Sequence, residues 1–248
     1  MEPFSMAKNW WQFLIMAVLS YCMGCINIAR IIASRKKKDI AQVGSGNPGT
    51  LNMTREFGWK IGLLTFVFDA FKGGICVLVA HLVYKNFLFA NTMIRVSDFT
   101  RYYCGLFAVL GHVLPAIYRF NGGKGIATTF GVFWVALSCE TPWYILIVFG
   151  AFMCVLAFIT ITEWGSLGNL LATAIFSVIQ MVTYFYRYEN QAVNGYLISI
   201  YMLVFAFTLI TWCAHQKNLF RLFSGEEHRT SLKKIVKKKT NEKGSEEK

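Results

Sequence analysis

Apolar residues in this chain fall into long, nearly uninterrupted runs. The runs cover residues 10–33, 59–84, 101–118, 126–138, 143–161, 171–186 and 195–214, and short polar stretches separate them. Several reach the length of about 20 residues that a helix needs to cross a bilayer. A backbone in lipid must satisfy its own polar groups, so such runs predict helices. The expectation is an all-α, polytopic integral membrane protein with seven transmembrane helices. The run 126–138 is short and is expected to sit tilted or partly re-entrant. Only Lys8 precedes the first run, while Arg30, Arg35, Lys36, Lys37 and Lys38 lie at its end or follow it. That pattern predicts an uncleaved helix with its N-terminus outside.

Charge sharpens the topology. The chain of 248 residues is 55% hydrophobic and only 15% charged, against about a quarter in soluble domains. Its net charge is +12. On a seven-span path, Arg55, Lys60, Arg119, Lys124 and the basic residues from Lys217 onward share one side. Only Lys8, Lys85, Arg95, Arg101 and Arg187 fall on the other, which makes the first side cytoplasmic. The excess positive charge therefore suits the anionic inner leaflet rather than nucleic acid. Residues 229–248 are lysine-rich and then mixed with glutamate, and read as a basic, disordered tail for contact with anionic lipid. Residues 1–228 read as one membrane domain. The seven cysteines lie in or beside apolar runs, and the Cys22–Cys25 spacing has no second pair or histidine nearby. No disulfide framework, metal or cofactor is expected.

The polar residues left over gather in a few stretches. Residues 111–128 read GHVLPAIYRFNGGKGIAT, in which Gly122, Gly123 and Gly125 flank Lys124 ahead of an apolar run. Glycines allow successive backbone N–H groups to turn toward one point, and a following helix N-terminus attracts anions. Residues 44–55 read GSGNPGTLNMTR, with Ser45, Gly46, Asn47 and Gly49 in a turn-forming stretch and Asn52 and Arg55 one helical turn apart. Residues 162–170, TEWGSLGNL, form a third loop containing Ser166 and Asn169. Residues 215–227, HQKNLFRLFSGEE, place His215, Asn218 and Arg221 on one broad helical face. Seven spans bring all four stretches to one membrane face. Within the apolar runs, Asp69 and Lys72 sit three apart on one face and either neutralise each other to set helix packing or take a substrate role, Gly73 and Gly74 permit close helix approach, and His112 is a base by residue type or a structural histidine near the site.

A phosphate-binding face at the mouth of an apolar bundle points to lipid chemistry. No histidine has an acidic residue five positions later, and no GxSxG elbow occurs, so two common acyltransferase devices are absent. The four polar segments instead resemble those of the bacterial acyl-phosphate:glycerol-3-phosphate acyltransferases (PlsY type). GSGNPGTLNMTR is similar to SGNxGxxNxxR, GHVLPAIYRFNGGKGIAT to GHxxPxxxxFxGGKGxAT, HQKNLFRLFSGEE to HxxNxxRLxxGxE, and DAFKG from Asp69 to DxxKG. The resemblance implies a seven-helix bacterial inner-membrane enzyme with no cofactor. Such an enzyme moves a fatty acyl group from acyl phosphate to the sn-1 hydroxyl of glycerol 3-phosphate, giving lysophosphatidic acid and phosphate. It implies that Ser45 and Asn47 shape the first phosphate loop with Gly46, Gly49 and Asn52. It implies further that Arg55 and Lys124 hold anionic groups, and that Gly122, Gly123 and Gly125 shape a second loop. His215 and Asn218 would line the glycerol 3-phosphate pocket, with Ser166 and Asn169 beside them. The third loop departs from the family's Ser-Leu-x-Ser, because Asn169 stands at its last serine and Glu163 near a customary arginine. The rival readings are a transporter or channel for an organic anion, for which the chain has no internal repeat, and a membrane scaffold, which gives the polar clusters no purpose.

Overall fold

In the computed structural model, which describes residues 1–227 and Arg229, the chain is almost entirely helical. The proposed tail beyond Arg229 lies outside the described residues. In chain order the helices are α1 (Met6–Cys25), α2 (Ile28–Arg35), α3 (Thr50–Phe57), α4 (Trp59–Tyr84), α5 (Val96–Val113), α6 (Ile126–Ser138), α7 (Tyr144–Thr162), α8 (Gly165–Arg187), α9 (Gly195–Ala214) and α10 (Gln216–Phe223). A short strand β1 (Glu2–Phe4) pairs in parallel with β2 (Phe87–Phe89), which lies between the apolar runs 59–84 and 101–118.

Among the described residues, five segments are long and apolar enough to cross a membrane: Met6–Arg35, Trp59–Tyr84, Tyr144–Thr162, Gly165–Arg187 and Gly195–Ala214. The other two expected spans are built differently. Helix α6 has 13 residues, and α5 carries Asp98, Arg101 and His112. Both are largely buried, so the protein interior rather than lipid is their solvent, and neither uniform apolarity nor full length is required of them. Helix α7 is the opposite case. It is the most apolar and least buried span, and Leu146, Ile147 and Met153 face outward.

Small residues bring α4 and α6 into backbone contact. A Cβ at Gly131 would stand 1.9 Å from the Ala70 carbonyl oxygen, and one at Gly73 2.4 Å from that of Thr128, so only glycine fits either position.

Four boundaries differ from the apolar runs. The first run breaks at Ile26, which is extended, and Asn27 then caps α2 by accepting from Arg30 N at 3.0 Å. The freed Ile26 carbonyl accepts from the Lys72 ammonium on α4 at 2.8 Å, so the break leaves no unsatisfied acceptor there. The supposed first loop contains α3. Helix α5 begins at Val96 rather than residue 101 and ends before Pro115, which cannot continue it. Helix α8 begins at Gly165, so most of the expected third loop is its first two turns.

Candidate active site

The starts of four helices converge on one cavity. Residues at the first turns of α3 (Gly49, Thr50), α6 (Gly125, Ile126), α8 (Gly165, Ser166) and α10 (His215, Gln216) all line it. None of these helices has a side chain capping its first amides. Each therefore presents free N–H groups and the positive end of its dipole to the same space, an arrangement that binds anions. The cavity holds about 1570 Å³ and is partly open.

Every candidate substrate-site residue read from the four polar stretches lines this cavity, whereas Lys72, Gly73 and Gly74 do not. From the first stretch come Ser45, Gly46, Asn47, Gly49, Asn52 and Arg55; from the second, His112, Gly122, Gly123, Lys124 and Gly125; from the last two, Ser166, Asn169, His215 and Asn218. Asn52 is buried and its amide is already used. Its Oδ1 accepts from Ser45 N at 3.0 Å, and its Nδ2 donates to the Val43 carbonyl at 3.0 Å. It holds the loop in shape from within. Asn27 anchors the same loop by donating from Nδ2 to the Pro48 carbonyl at 3.4 Å. Among the described residues Arg55 has no ion-pair partner, which leaves its guanidinium available to an anion.

The glycine loop is folded against His112. Gly123 N donates to the His112 carbonyl at 3.0 Å. A Cβ on Gly123 would lie 2.2 Å from His112 Nε2, so the loop can pack on the imidazole only because residue 123 is glycine. Gly125 has φ +80°, the left-handed turn that starts α6. On its other side the imidazole meets a buried pair. Lys72 Nζ lies 2.8 Å from Asp69 Oδ1 and 2.8 Å from His112 Nδ1.

Lys124 points into a hydrogen-bonded chain. Its Nζ donates to Asn218 Oδ1 at 2.5 Å, and Asn218 Nδ2 donates to Ser166 Oγ at 2.7 Å and to Glu227 Oε1 at 3.0 Å. Ser166 donates to Glu227 at 2.5 Å, and Arg221 Nε pairs with Glu227 Oε2 at 3.1 Å. Burial pushes Lys124 down to about 8. The nearby Arg221 and Arg55 push the same way, and Glu227 opposes them. Burial alone would raise Glu227, but donors from Ser166, Asn218 and Arg221 outweigh it and hold the carboxyl below its usual range. His215 is pushed down to about 4 by burial and by Lys124, so it is neutral at physiological pH. Its Nδ1 lies 2.7 Å from the Thr211 carbonyl. A carbonyl only accepts, so Nδ1 carries the proton and Nε2 keeps a lone pair.

The sequence reading did not single out Glu227, which joins Ser166, Asn218 and Arg221. The only signal for it was its place as the last position of the HxxNxxRLxxGxE pattern. Arg30 was read as a topogenic charge. It also donates to the Asn121 carbonyl at 2.7 Å and lies over the Tyr118 ring, tying α2 to the glycine loop.

Known proteins are similar to this chain over nearly its whole length. A family model described as glycerol-3-phosphate acyltransferase matches residues 14–225. A glycerol-3-phosphate acyltransferase of Finegoldia magna is 35% identical over 222 residues, covering 88% of this chain and 96% of that protein. One from Aquifex aeolicus is 30% identical over 216 residues, covering 87% and 98%. Among solved structures, the glycerol 3-phosphate form of PlsY (YgiH), an integral membrane glycerol 3-phosphate acyltransferase, superposes with a TM-score of 0.71 at 27% identity. The match covers 91% of this chain and 98% of that one. A second PlsY structure, its lysophosphatidic acid form, gives a TM-score of 0.70.

Proposed function

The chain belongs to the glycerol-3-phosphate acyltransferase family and is an acyltransferase of phospholipid synthesis that acts on glycerol 3-phosphate; we propose that its acyl donor is acyl phosphate. The sn-1 hydroxyl attacks the acyl carbon, the bond from that carbon to the phosphate oxygen breaks, and the hydroxyl proton leaves with the phosphate. The products are lysophosphatidic acid and inorganic phosphate. Phosphate is a good leaving group, so the protein needs no covalent acyl intermediate and works by positioning and charge stabilisation.

The observation that carries this reading is the charge of the cavity. Among the described residues, Arg30, Arg55, Lys124, Lys217 and Arg221 line it against only Asp69 and Glu227, and Asp69 is paired with Lys72. With four uncapped helix starts added, the space suits two phosphorylated reactants. In the proposed roles, Ser45, Gly46, Asn47 and Gly49 with Arg55 hold one phosphate. Lys124 with the amides of Gly122 and Gly125 holds the other, in a loop that Gly123 shapes by bonding the His112 carbonyl. Ser166, Asn169 and Asn218 line the acceptor pocket, where His215 Nε2 accepts from a glycerol hydroxyl. His112 is a donor in this scheme. The Lys72 ammonium donates to its Nδ1, which leaves the ring proton on Nε2 beside Gly123, facing substrate.

The proposed setting is a bacterial inner membrane. The chain crosses seven times with its N-terminus outside, and one domain through residue 228 is followed by a basic cytoplasmic tail that contacts anionic lipid. Purified protein is expected to release phosphate from acyl phosphate only when glycerol 3-phosphate is present. Equal turnover with acyl-CoA would overturn the donor assignment. A cysteine-accessibility map is expected to find positions 47, 124 and 215 on one face, and a split between faces would overturn the topology.

A further inference from the structure

We propose that Phe66, Phe130 and Phe152 form the floor of an acyl-chain groove and set the length of chain this enzyme accepts, an inference that rests on the acyl-transfer reading above. The same cavity that holds the cations continues inward between apolar side chains, reaching Phe66 on α4, Phe130 on α6, Phe152 on α7 and Phe176 on α8. Its upper part is the polar mouth, so a molecule bound there with a charged head would direct an apolar tail along this lining. The occupant is therefore the donor's own acyl chain.

The floor is a cluster of rings. Phe66 and Phe152 stack with centroids 5.4 Å apart, and Phe130 packs against both, 5.7 Å from Phe66 and 4.5 Å from Phe152. Trp134, one turn further along α6, packs on Phe130 at 4.9 Å and backs the cluster. Three helices thus supply one aromatic plug, and rings that pack edge and face leave little room for a chain to pass.

The depth is legible from α8. From Ser166 to Phe176 is ten residues, roughly 15 Å at 1.5 Å per residue. An all-trans alkyl chain, with C–C bonds of about 1.5 Å at near-tetrahedral angles, advances about 1.25 Å per bond, so about twelve bonds fill that distance. Longer chains have to bend or push the packed rings aside, because the floor has no free space to take further methylenes.

The test is a donor series from decanoyl to octadecanoyl phosphate, with the matching acyl-CoA series run in parallel, so that the length profile is read whichever donor works. Wild-type kcat/KM is expected to fall beyond tetradecanoyl. Phe152→Ala, on the least buried span, is expected to raise the octadecanoyl-to-dodecanoyl ratio about tenfold. Ala172→Phe, which inserts a ring nearer the mouth, is expected to move the profile toward shorter chains. If both variants unfold at the wild-type temperature and keep the wild-type profile, the proposed floor is wrong even if acyl phosphate is the donor. A donor preference for acyl-CoA with shifted profiles would overturn the donor assignment and leave the floor standing.

Discussion

Two ionic clusters occupy opposite ends of this protein, and they differ in what they leave unpaired. At the end away from the cavity, Arg101 on α5 bonds Asp98 at 2.5 Å and the Ala136 carbonyl at 2.9 Å, and also pairs with Glu140. Arg187 closes the group on Asp98 at 3.0 Å and on Glu140, and Tyr188 donates to Asp98 at 2.5 Å. Two cations meet two carboxylates in a buried, neutral group. At the cavity, cations outnumber carboxylates, Arg55 has no ion pair among the described residues, and helix starts stand uncapped. A cluster that balances and closes on itself ties helices together. A cluster with surplus charge beside open space has capacity for a ligand.

Removing one member of each cluster separates the two roles. Arg101→Met leaves Arg187 alone against two buried carboxylates and is expected to cost about 3–5 kcal/mol of stability. Thermal unfolding in detergent would register it, while turnover per folded molecule stays at the wild-type level. An unchanged unfolding temperature would break the comparison. Lys124→Met is expected to do the reverse. Loss of one charge donor at a developing oxyanion lowers kcat/KM about 100- to 1000-fold, with unfolding close to wild type. Activity within a factor of two would remove Lys124 from the chemistry.

The sequence disclosed these two ends unequally. Residues 59–84, 126–138 and 195–214 are helices with the boundaries of their apolar runs, because each run ends where a glycine, a charge or a polar loop begins. The start of α5 was hidden because Asp98 looks like a loop residue until its partners Arg187 and Tyr188 are known. Helix α3 was hidden by the turn-forming composition around Pro48, and the first turns of α8 by Gly165 and Gly168. The strand pair β1–β2 rests on a contact between residues more than 80 apart, which no local pattern reports. The cavity residues were legible because glycine, lysine, asparagine and histidine have few structural uses at the edge of an apolar bundle. Glu227 was not, because it follows Glu226 in a charged stretch and only its bonds to Ser166, Asn218 and Arg221 set it apart.

Glu227 also offers a finer probe, since it is a carboxylate inside the cationic cluster. Glu227→Gln keeps hydrogen-bond capacity toward Ser166 and Asn218 and loses the charge facing Arg221. An approximately tenfold fall in kcat/KM is expected, the scale of one charge-assisted hydrogen bond reduced to a neutral one. A fall as large as that of Lys124→Met would instead put Glu227 in contact with the reacting atoms.

The smallest effect is a pH limb, and its direction follows from Lys124. The ammonium form, which holds phosphate, prevails below about 8 because burial, Arg221 and Arg55 lower the group and Glu227 only partly restores it. As pH rises through that value the free enzyme loses the charge, so kcat/KM is expected to be about halved near pH 8 and to fall further above it. Bound phosphate raises the lysine again, so kcat itself stays level to higher pH. Glu227→Gln removes the one carboxylate that favours the charged form, and the limb is expected to move to lower pH. Wild type and variant share the same substrate ionisations, so their difference reports on the enzyme alone. A limb that stays in place in Glu227→Gln would mean that Lys124 is not the titrating group.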